Sequence, residues 1–421
     1  MTGKRISEKQ FAVLAILAME FNGLAMSAVS PALADLGQAF PNVSQTYMSM
    51  LSTVPALMCI PVSVLSTSLV GRKITFRHIS VIGVILQLLG GLMPMLATTF
   101  FEVLVWRCVF GIGMGIMSPL GSALMFSLFT KEEAEIQSSR DTMANSIGAV
   151  VYQLAGGILC AQFGWRCTFL VYVLLIPTLT LTMIGFAKIK LANEKFLVVR
   201  QPEMKAGPKK RSQYGIPFYA WCSLYALYCI LFYPLITDSS VVVLNNNYGS
   251  ADSVSVILSV YTLFAVVGGF LYQSKEIRNL NSKICAPIFA SNALAFGIII
   301  LAKNVFTMIL GAAIFGIGYG MFTAAIIIFA GYSVPKELRM GVMARMLIFT
   351  GLGEFVSAFV MEFIKTRIFH SGYERFSFLF SAVCLAILAV VFLIKPKSQL
   401  SDDRIEEPGD TVKLVEEIGS L

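Results

Sequence analysis

The sequence predicts an all-α integral membrane protein whose twelve transmembrane helices form two pseudo-symmetric six-helix bundles. Of its 421 residues, 57% are hydrophobic and only 13% are charged, and the mean hydropathy is +0.77. A soluble domain of this length could not bury so much apolar surface in one core. Apolar runs of about 20 residues, long enough to cross about 30 Å of hydrocarbon as a helix, recur along the chain. Its main solvent is therefore expected to be lipid.

The apolar runs divide into six before a polar stretch and six after it. Buried core helices would also be apolar, but this many would require a much larger soluble protein. The first run contains Glu20 and Asn22 and lacks a small-residue cleavage site, so we expect a retained helix rather than a signal peptide. The predicted helices, numbered 1 to 12, cover residues 10–29, 47–70, 78–97, 101–129, 142–163, 167–187, 216–237, 253–273, 283–302, 305–332, 341–364 and 375–394.

The placement of positive charge predicts how the chain is oriented. The segments on the side of the N-terminus hold 25 of the 32 Lys and Arg residues, and those on the other side hold five. Cytoplasmic loops are enriched in Lys and Arg, so we expect a multi-pass protein of the plasma membrane with both termini in the cytoplasm. The net charge of +8 is then explained by topology and does not indicate a nucleic-acid partner.

The two halves repeat each other at an offset of 205 residues. The run Phe-Gly-Ile-Gly-Met-Gly at 110–115 returns as Phe-Gly-Ile-Gly-Tyr-Gly at 315–320, and Gly148 corresponds to Gly353. Several matches in one register indicate a duplicated six-helix unit. We therefore predict an N-terminal bundle at 1–187, a basic cytoplasmic linker at 188–213, a C-terminal bundle at 214–395 and an acidic tail at 396–421.

Three local motifs give this sequence a family resemblance. The loop between helices 2 and 3 carries Gly71, Arg72 and Lys73, helix 4 carries Arg107 followed by spaced glycines, and Gly-Trp-Arg stands at 164–166. With two six-helix halves, these motifs make the chain resemble the major facilitator superfamily, and in particular its drug:proton antiporter branch. The resemblance covers about residues 10 to 395.

The resemblance implies a secondary transporter that works by alternating access. In that family the halves rock about a central cavity lined by helices 1, 4, 7 and 10, and the substrate binds near the middle of the bilayer. We predict proton-coupled export of small amphipathic or drug-like compounds. Proton-coupled uptake of an organic anion or another metabolite is the alternative, and a non-transporting membrane sensor is a reading of a different class.

Two carboxyl groups are the candidate proton-coupling residues. Glu20 lies about ten residues into helix 1, about 15 Å deep, and Glu354 lies near the middle of helix 11. Because hydrocarbon disfavours the charged form, a carboxyl at this depth can bind and release protons. Glu20 also resembles the acidic position that some multidrug antiporters use for protons and cationic drugs. Each could instead be a structural hydrogen-bonding group, Glu20 near Asn22 and Glu354 near the glycines of helix 11.

Arg107 is a candidate for binding charge. It lies about 10 Å inside helix 4, where a permanent cation needs a carboxylate, an array of carbonyls or an anionic substrate. It could therefore anchor a substrate carboxylate or clamp helices together.

Helix 7 carries an aromatic stripe on one face, because its rings are spaced four, three and four residues apart. Such a wall suits lipophilic or aromatic substrates and permits cation–π capture, although the same stripe could pack against lipid or other helices. The predicted substrate-binding set is Glu20, Asn22, Arg107, Tyr152, Gln153, Trp221, Tyr225, Tyr228, Phe232 and Tyr319.

The sequence gives no pattern for catalysis, a metal ion or a nucleotide. It has only two histidines and no phosphate-binding loop, so we expect a non-enzyme without cofactors that draws its energy from a proton gradient. Its partners should be a small-molecule substrate, protons and the lipid bilayer, and we expect a monomer. The candidate gating residues are Gly71, Arg72, Lys73 and Asp238.

Overall fold

The computed structural model describes residues 2–69, 75–128, 131–187, 214–334 and 342–394. The predicted linker, the acidic tail and the candidate gating residues Gly71, Arg72 and Lys73 lie outside the described residues. The described part contains twelve helices that are long and apolar enough to cross a membrane, which confirms the predicted fold class. They are α1 Val13–Ala39, α2 Gln45–Ser66, α3 Phe76–Leu96, α4 Phe100–Gly121, α5 Arg140–Phe163, α6 Trp165–Ile184, α7 Ile216–Asn245, α8 Ala251–Leu271, α9 Asn281–Leu301, α10 Val305–Tyr332, α11 Arg345–Ile368 and α12 Phe376–Ile394.

Two helices are longer than predicted. The prediction ended helix 1 at residue 29 and helix 7 at residue 237, but α1 continues to Ala39 and α7 to Asn245. Each contains a proline that disturbs the helix without ending it. Around Pro31, α1 tightens into a 3₁₀ segment over Ala25–Ala32, and α7 is interrupted before Pro234 and resumes.

Asp238 lies at a second interruption of α7, between the segments Pro234–Thr237 and Ser239–Asn245, so the span continues beyond the position where the prediction ended it. Its carboxyl accepts hydrogen bonds from Thr237, at 2.8 Å, and from Ser377. The Asp238 carboxyl therefore has its hydrogen bonds made inside the fold, as buried polar groups require.

The glycine repeats bring helices together in the same way in both halves. A Cβ added at Gly111 would lie 2.6 Å from the Pro55 carbonyl oxygen on α2, and one at Gly316 would collide with the Tyr261 carbonyl oxygen on α8. Only glycine allows such close backbone contact. The pairs α2–α4 and α8–α10 are therefore equivalent, as the duplicated sequence predicts.

A second equivalent contact joins the first and fifth helices of each half. A side chain at Gly148 on α5 would collide with the Phe21 carbonyl oxygen on α1, and one at Gly353 on α11 would lie 2.6 Å from the Ala226 carbonyl oxygen on α7. We call the α1–α5 and α7–α11 contacts the glycine seams. They hold the helices that carry Glu20 and Glu354.

Each half has its own hydrophobic core, and α5–α8 and α2–α11 contacts join the halves. We call the surface at which α1 begins the N-terminal face, and the other the opposite face. The α5–α8 contact is close toward the opposite face, where a Cβ at Gly157 would lie 2.6 Å from the Ala251 carbonyl oxygen. The other halves of these two helices border a cavity.

Candidate functional site

The central cavity lies between the two bundles and has a volume of about 610 Å³. Its walls include Thr142 to Gln153 on α5, Tyr261 to Gln273 on α8 and Tyr319 to Ile327 on α10, all in the halves nearer the N-terminal face. Near mid-bilayer, the Thr262 hydroxyl donates a hydrogen bond of 3.3 Å to the side-chain oxygen of Gln153. The cavity therefore opens to the N-terminal face and is closed toward the opposite face.

Helix 4 contributes less to this cavity than the resemblance implies. The residues that line the cavity come from α1, α2, α5, α7, α8, α10 and α11, and none of the described residues of α4 is among them. Gly111 and Gly115 of α4 face α2, and Gly113 faces α3, inside the N-terminal bundle, so this part of the helix is used for packing.

Glu354 is the only carboxyl or basic side chain among the described residues that line the cavity. Its electrostatic neighbours include Tyr233, Tyr261 and Tyr319. Within the described part of the chain its carboxyl has no hydrogen-bonding partner. A carboxyl without a partner at the wall of an aqueous opening is free to bind a cation or a proton.

Aromatic rings surround this carboxyl. The ring of Phe232 lies 4.7 Å from that of Tyr319 and 5.7 Å from that of Tyr261, centroid to centroid. The Tyr319 hydroxyl is hydrogen-bonded to those of Tyr261 and Tyr225. The negative faces of such rings attract cations, and their area suits flat apolar groups.

The deep end of the cavity is polar. The hydroxyls of Ser30 and Ser52 lie 3.3 Å apart, and the Tyr233 hydroxyl donates to the Ser52 carbonyl oxygen over 3.5 Å. These residues, with Tyr261 and Thr262, were missed by the sequence reasoning. The sequence gives the position of each residue along its helix. It does not give the rotation of the helix, and the rotation decides which of the many Ser, Thr and Tyr residues face the partner bundle.

Arg107 lies outside the cavity, fully buried in the N-terminal bundle. Its guanidinium donates to the Leu51 carbonyl oxygen at 2.8 Å, the Met26 carbonyl oxygen at 3.1 Å and the Tyr172 hydroxyl at 2.8 Å. It also lies 4.9 Å from the centroid of the Phe110 ring. A carbonyl array thus holds the charge, and the residue ties α4 to α1, α2 and α6.

Asn22 and Tyr152 belong to the same buried polar interior. The Tyr152 hydroxyl donates to the side-chain oxygen of Asn22, whose amide donates to Thr178 at 2.6 Å. Both are almost completely buried and neither lines the cavity. With their hydrogen bonds satisfied inside one bundle, these groups are not presented to a ligand in this conformation.

The aromatic stripe of α7 is also placed mainly inside a bundle. Trp221 packs on Phe329 at 5.1 Å and Tyr228 on Phe322 at 4.2 Å, and the Asn292 amide donates to the Tyr228 hydroxyl. The predicted substrate-binding residues that line the cavity are Gln153, Phe232 and Tyr319; those that do not are Glu20, Asn22, Arg107, Tyr152, Trp221, Tyr225 and Tyr228.

Glu20 lies on α1 in the glycine seam with α5, just behind the cavity wall. Leu24, one turn further along α1, lines the cavity, but Glu20 does not. Its carboxyl accepts a hydrogen bond from the side chain of Asn145 and is influenced by the charge of Asp141. The two predicted proton-coupling residues therefore occupy different environments.

Asp238 borders a second cavity, of about 350 Å³, on the opposite face. The ends of α2, α7 and α11 enclose it, and Glu362 and Lys365 also line it. Its role as a gate stays a prediction, but its position is on the closed side of the molecule.

Two bundles of six helices around a central cavity define a membrane transporter of the secondary class. A family model described as Major Facilitator Superfamily matches residues 15–271 and 221–418. The chain belongs to the Major Facilitator Superfamily, as the sequence motifs indicate. Together with its apolar helices, this membership makes it a multi-pass membrane protein.

Curated relatives match part of the chain. It is 28% identical over 180 residues to "Multidrug resistance protein 3" of Bacillus subtilis, covering 41% of this chain and 33% of the relative. It is 25% identical over 145 residues to "Putative multidrug resistance protein MdtD" of Escherichia fergusonii, covering 34% of this chain and 30% of the relative. The match thus spans about a third of each relative's length.

Solved structures share the fold over nearly the whole chain. A bacterial homolog of the human lysosomal transporter Spinster, in an inward-facing and unoccupied conformation, has a TM-score of 0.64 and 15% identity, covering 94% of this chain and 95% of that one. The POT family transporter PepTSo has a TM-score of 0.71 and 12% identity, covering 92% and 97%. At these identities the comparison shows the fold alone.

Proposed function

We propose that this protein is a proton-coupled exporter of small lipophilic cations. The observation that carries the proposal is the cavity, in which one carboxyl without a hydrogen-bonding partner, that of Glu354, stands in an aromatic wall with no other carboxyl or basic side chain among the described lining residues. The matches to proteins named for multidrug resistance support the same class of substrate.

The cavity chemistry favours a cation over an anion. A lipophilic cation gains cation–π contacts and a countercharge from Glu354, whereas an organic anion would meet a like charge. The cation that could anchor an anion, Arg107, is bonded to carbonyl groups away from the cavity. Anion uptake remains the second candidate only through a conformation that would expose this residue.

One carboxyl can couple substrate to protons by competition. A protonated Glu354 is neutral and does not attract a cation, and a bound cation favours the ionised form, so the two ligands exclude each other. With the N-terminal face in the cytoplasm, the open cavity would load substrate from inside. Proton entry from the opposite face would then drive release outside.

The test is transport of tetraphenylphosphonium into proteoliposomes under an imposed pH gradient. We expect the wild type to accumulate the probe and Glu354→Gln to bind it about tenfold more weakly or worse, because the countercharge is removed from a buried site. Gradient-driven accumulation should fall accordingly.

The matched control is Glu102→Gln, the same substitution at an exposed glutamate of α4 that lies outside the cavity. It should retain accumulation. Probe flux that ignores the pH gradient in the wild type would defeat proton coupling. Inward flux of benzoate, abolished by Arg107→Ala and spared by Glu354→Gln, would establish the anion alternative instead.

A further inference from the structure

A second acidic site lies in the glycine seam between α1 and α5, away from Glu354. Glu20 on α1 is influenced there by the charge of Asp141 on α5. Asp141 is only 8% exposed and accepts a hydrogen bond of 2.9 Å from the Gln137 amide. The seam is close because Gly148 lets the α1 backbone touch α5. Two carboxyl groups are thus held inside one bundle.

The residues of α5 that face this seam follow helical spacing. Gln137, Asp141 and Asn145 are spaced four residues apart on the continuous helix Lys131–Phe163, which contains α5, and this spacing places them on one face. Arg140 precedes Asp141 but is exposed, and it points elsewhere around the helix. The stripe therefore brings amide and carboxyl groups to Glu20 without bringing a cation.

The other helices packed on this part of α1 contribute no countercharge from their described residues. On α4, Gly121 faces the carboxyl, and a Cβ there would lie 2.6 Å from Oε1 of Glu20. On α6, Thr178 is bonded to Asn22 and to the Ala18 carbonyl oxygen. Among the described groups, Asp141 is the only titratable one that acts on Glu20. The described residues of these helices would therefore supply no countercharge to two negative charges here.

The Asn145 side chain shows that the site lacks a hydrogen-bond donor. Its amide donates to Glu20, but its Oδ1 atom is buried and has no hydrogen-bonding partner. A buried acceptor without a donor is costly. A proton on Glu20 would supply the donor: the acid would give its O–H to Oδ1 and accept from the amide, closing a cyclic acid–amide pair.

We propose that Glu20 and Asp141 form a carboxyl pair that holds one proton, separate from the cavity carboxyl. Binding of one H⁺ forms a single O–H bond and changes the charge of the pair from −2 to −1. Like charges in a low-dielectric site disfavour each other's ionised form, so the charge of Asp141 favours protonation of Glu20. Thr142, next to Asp141, lines the cavity, so we expect the pair to exchange its proton with the water of the cavity.

The role of this proton in transport rests on the proposed function, but its presence does not. Glu354 would exchange a proton for the substrate in the cavity, whereas the pair would bind its proton without touching the substrate. Because the seam joins α1 to α5, its protonation changes the charge between two helices of the moving bundle. It could therefore favour one of the two conformations.

The test is infrared spectroscopy of the purified protein at neutral pH, which detects the C=O stretch of protonated carboxyl groups. The variants are Glu20→Gln, Asp141→Asn and Glu354→Gln. The control is Glu102→Gln, an exposed glutamate whose carboxylate accepts hydrogen bonds from the Thr98 and Thr99 backbone. We expect Glu20→Gln and Asp141→Asn to remove the same component, and Glu102→Gln to remove none.

Loss of one shared component through either substitution is the signature of a pair. The pair is ruled out if Asp141→Asn leaves the component that Glu20→Gln removes, or if Glu20→Gln removes nothing. Should one variant fail to fold, the other still tests the proposal, because a protonated component that survives either substitution overturns it. Failure of the exporter proposal is distinguishable from failure of the pair. In that case tetraphenylphosphonium flux would not depend on the pH gradient, while the infrared result would be unchanged.

Discussion

At the scale of single residues, hydrogen bonding separates the charged groups that hold the fold from those that can act. Arg107 makes its bonds to protein carbonyl and hydroxyl groups, whereas Glu354 meets no partner in the described part of the chain. The position of both residues along their helices was predictable from the sequence, since it follows from the bounds of the apolar runs. It could not predict which way each side chain points, because helices apolar on all sides carry little rotational signal.

Replacing Arg107 by Lys should destabilise the N-terminal bundle. Lysine keeps the charge but cannot reach the Leu51, Met26 and Tyr172 oxygens together, so we expect a loss of about 1–3 kcal/mol. Thermal denaturation in detergent measures it. Arg166→Lys, at an exposed arginine, should change the transition little. Unchanged stability with lost probe binding would instead make Arg107 a substrate residue.

At the scale of helices, close glycine contacts decide which elements move together. Each seam joins the first helix of a repeat to the fifth, through Gly148 in one half and Gly353 in the other. The repeat offset was visible in the sequence, and so was the equivalence of these glycines. The partner helix of each glycine was not, because a spacing along the chain does not identify what lies across a helix.

Gly148→Ala should force α1 and α5 apart. The added methyl group would collide with the Phe21 carbonyl oxygen, and overpacking of this kind costs about 1–3 kcal/mol. We expect a lower thermal transition and, since the seam carries Glu20, a disturbed infrared component. Gly297→Ala on α9 is the control, because a Cβ there meets nothing within 4 Å. Equal stability of the two variants would argue against a close seam.

At the scale of the whole molecule, composition and duplication were enough to predict the fold. Twelve spans, two halves and the family follow from hydropathy, the 205-residue repeat and a few motifs. The prediction failed after residues 29 and 237, where helices 1 and 7 were predicted to end although both spans continue with changed geometry. The sequence also did not predict that α5 and α8 would form so much of the cavity wall. The lining of the cavity depends on how the two halves are arranged relative to each other, and the sequence of each helix does not determine that arrangement by itself.

The orientation of the molecule decides what the open cavity faces. The excess of Lys and Arg on the N-terminal face predicts a cytoplasmic C-terminus. Green fluorescent protein fused there should fluoresce, and alkaline phosphatase fused there should be inactive. The reverse pattern would turn the cavity outward and change the proposed direction of transport.

The separation of Glu354 from the Glu20–Asp141 pair has an electrical consequence. Exchange of one monovalent cation for one proton at Glu354 moves no net charge across the bilayer. A second proton carried inward by the pair would make each cycle electrogenic, and membrane voltage would then contribute about 2.3 kcal/mol per 100 mV to expulsion of the substrate. A cell with almost no pH difference across its membrane could still drive such a pump.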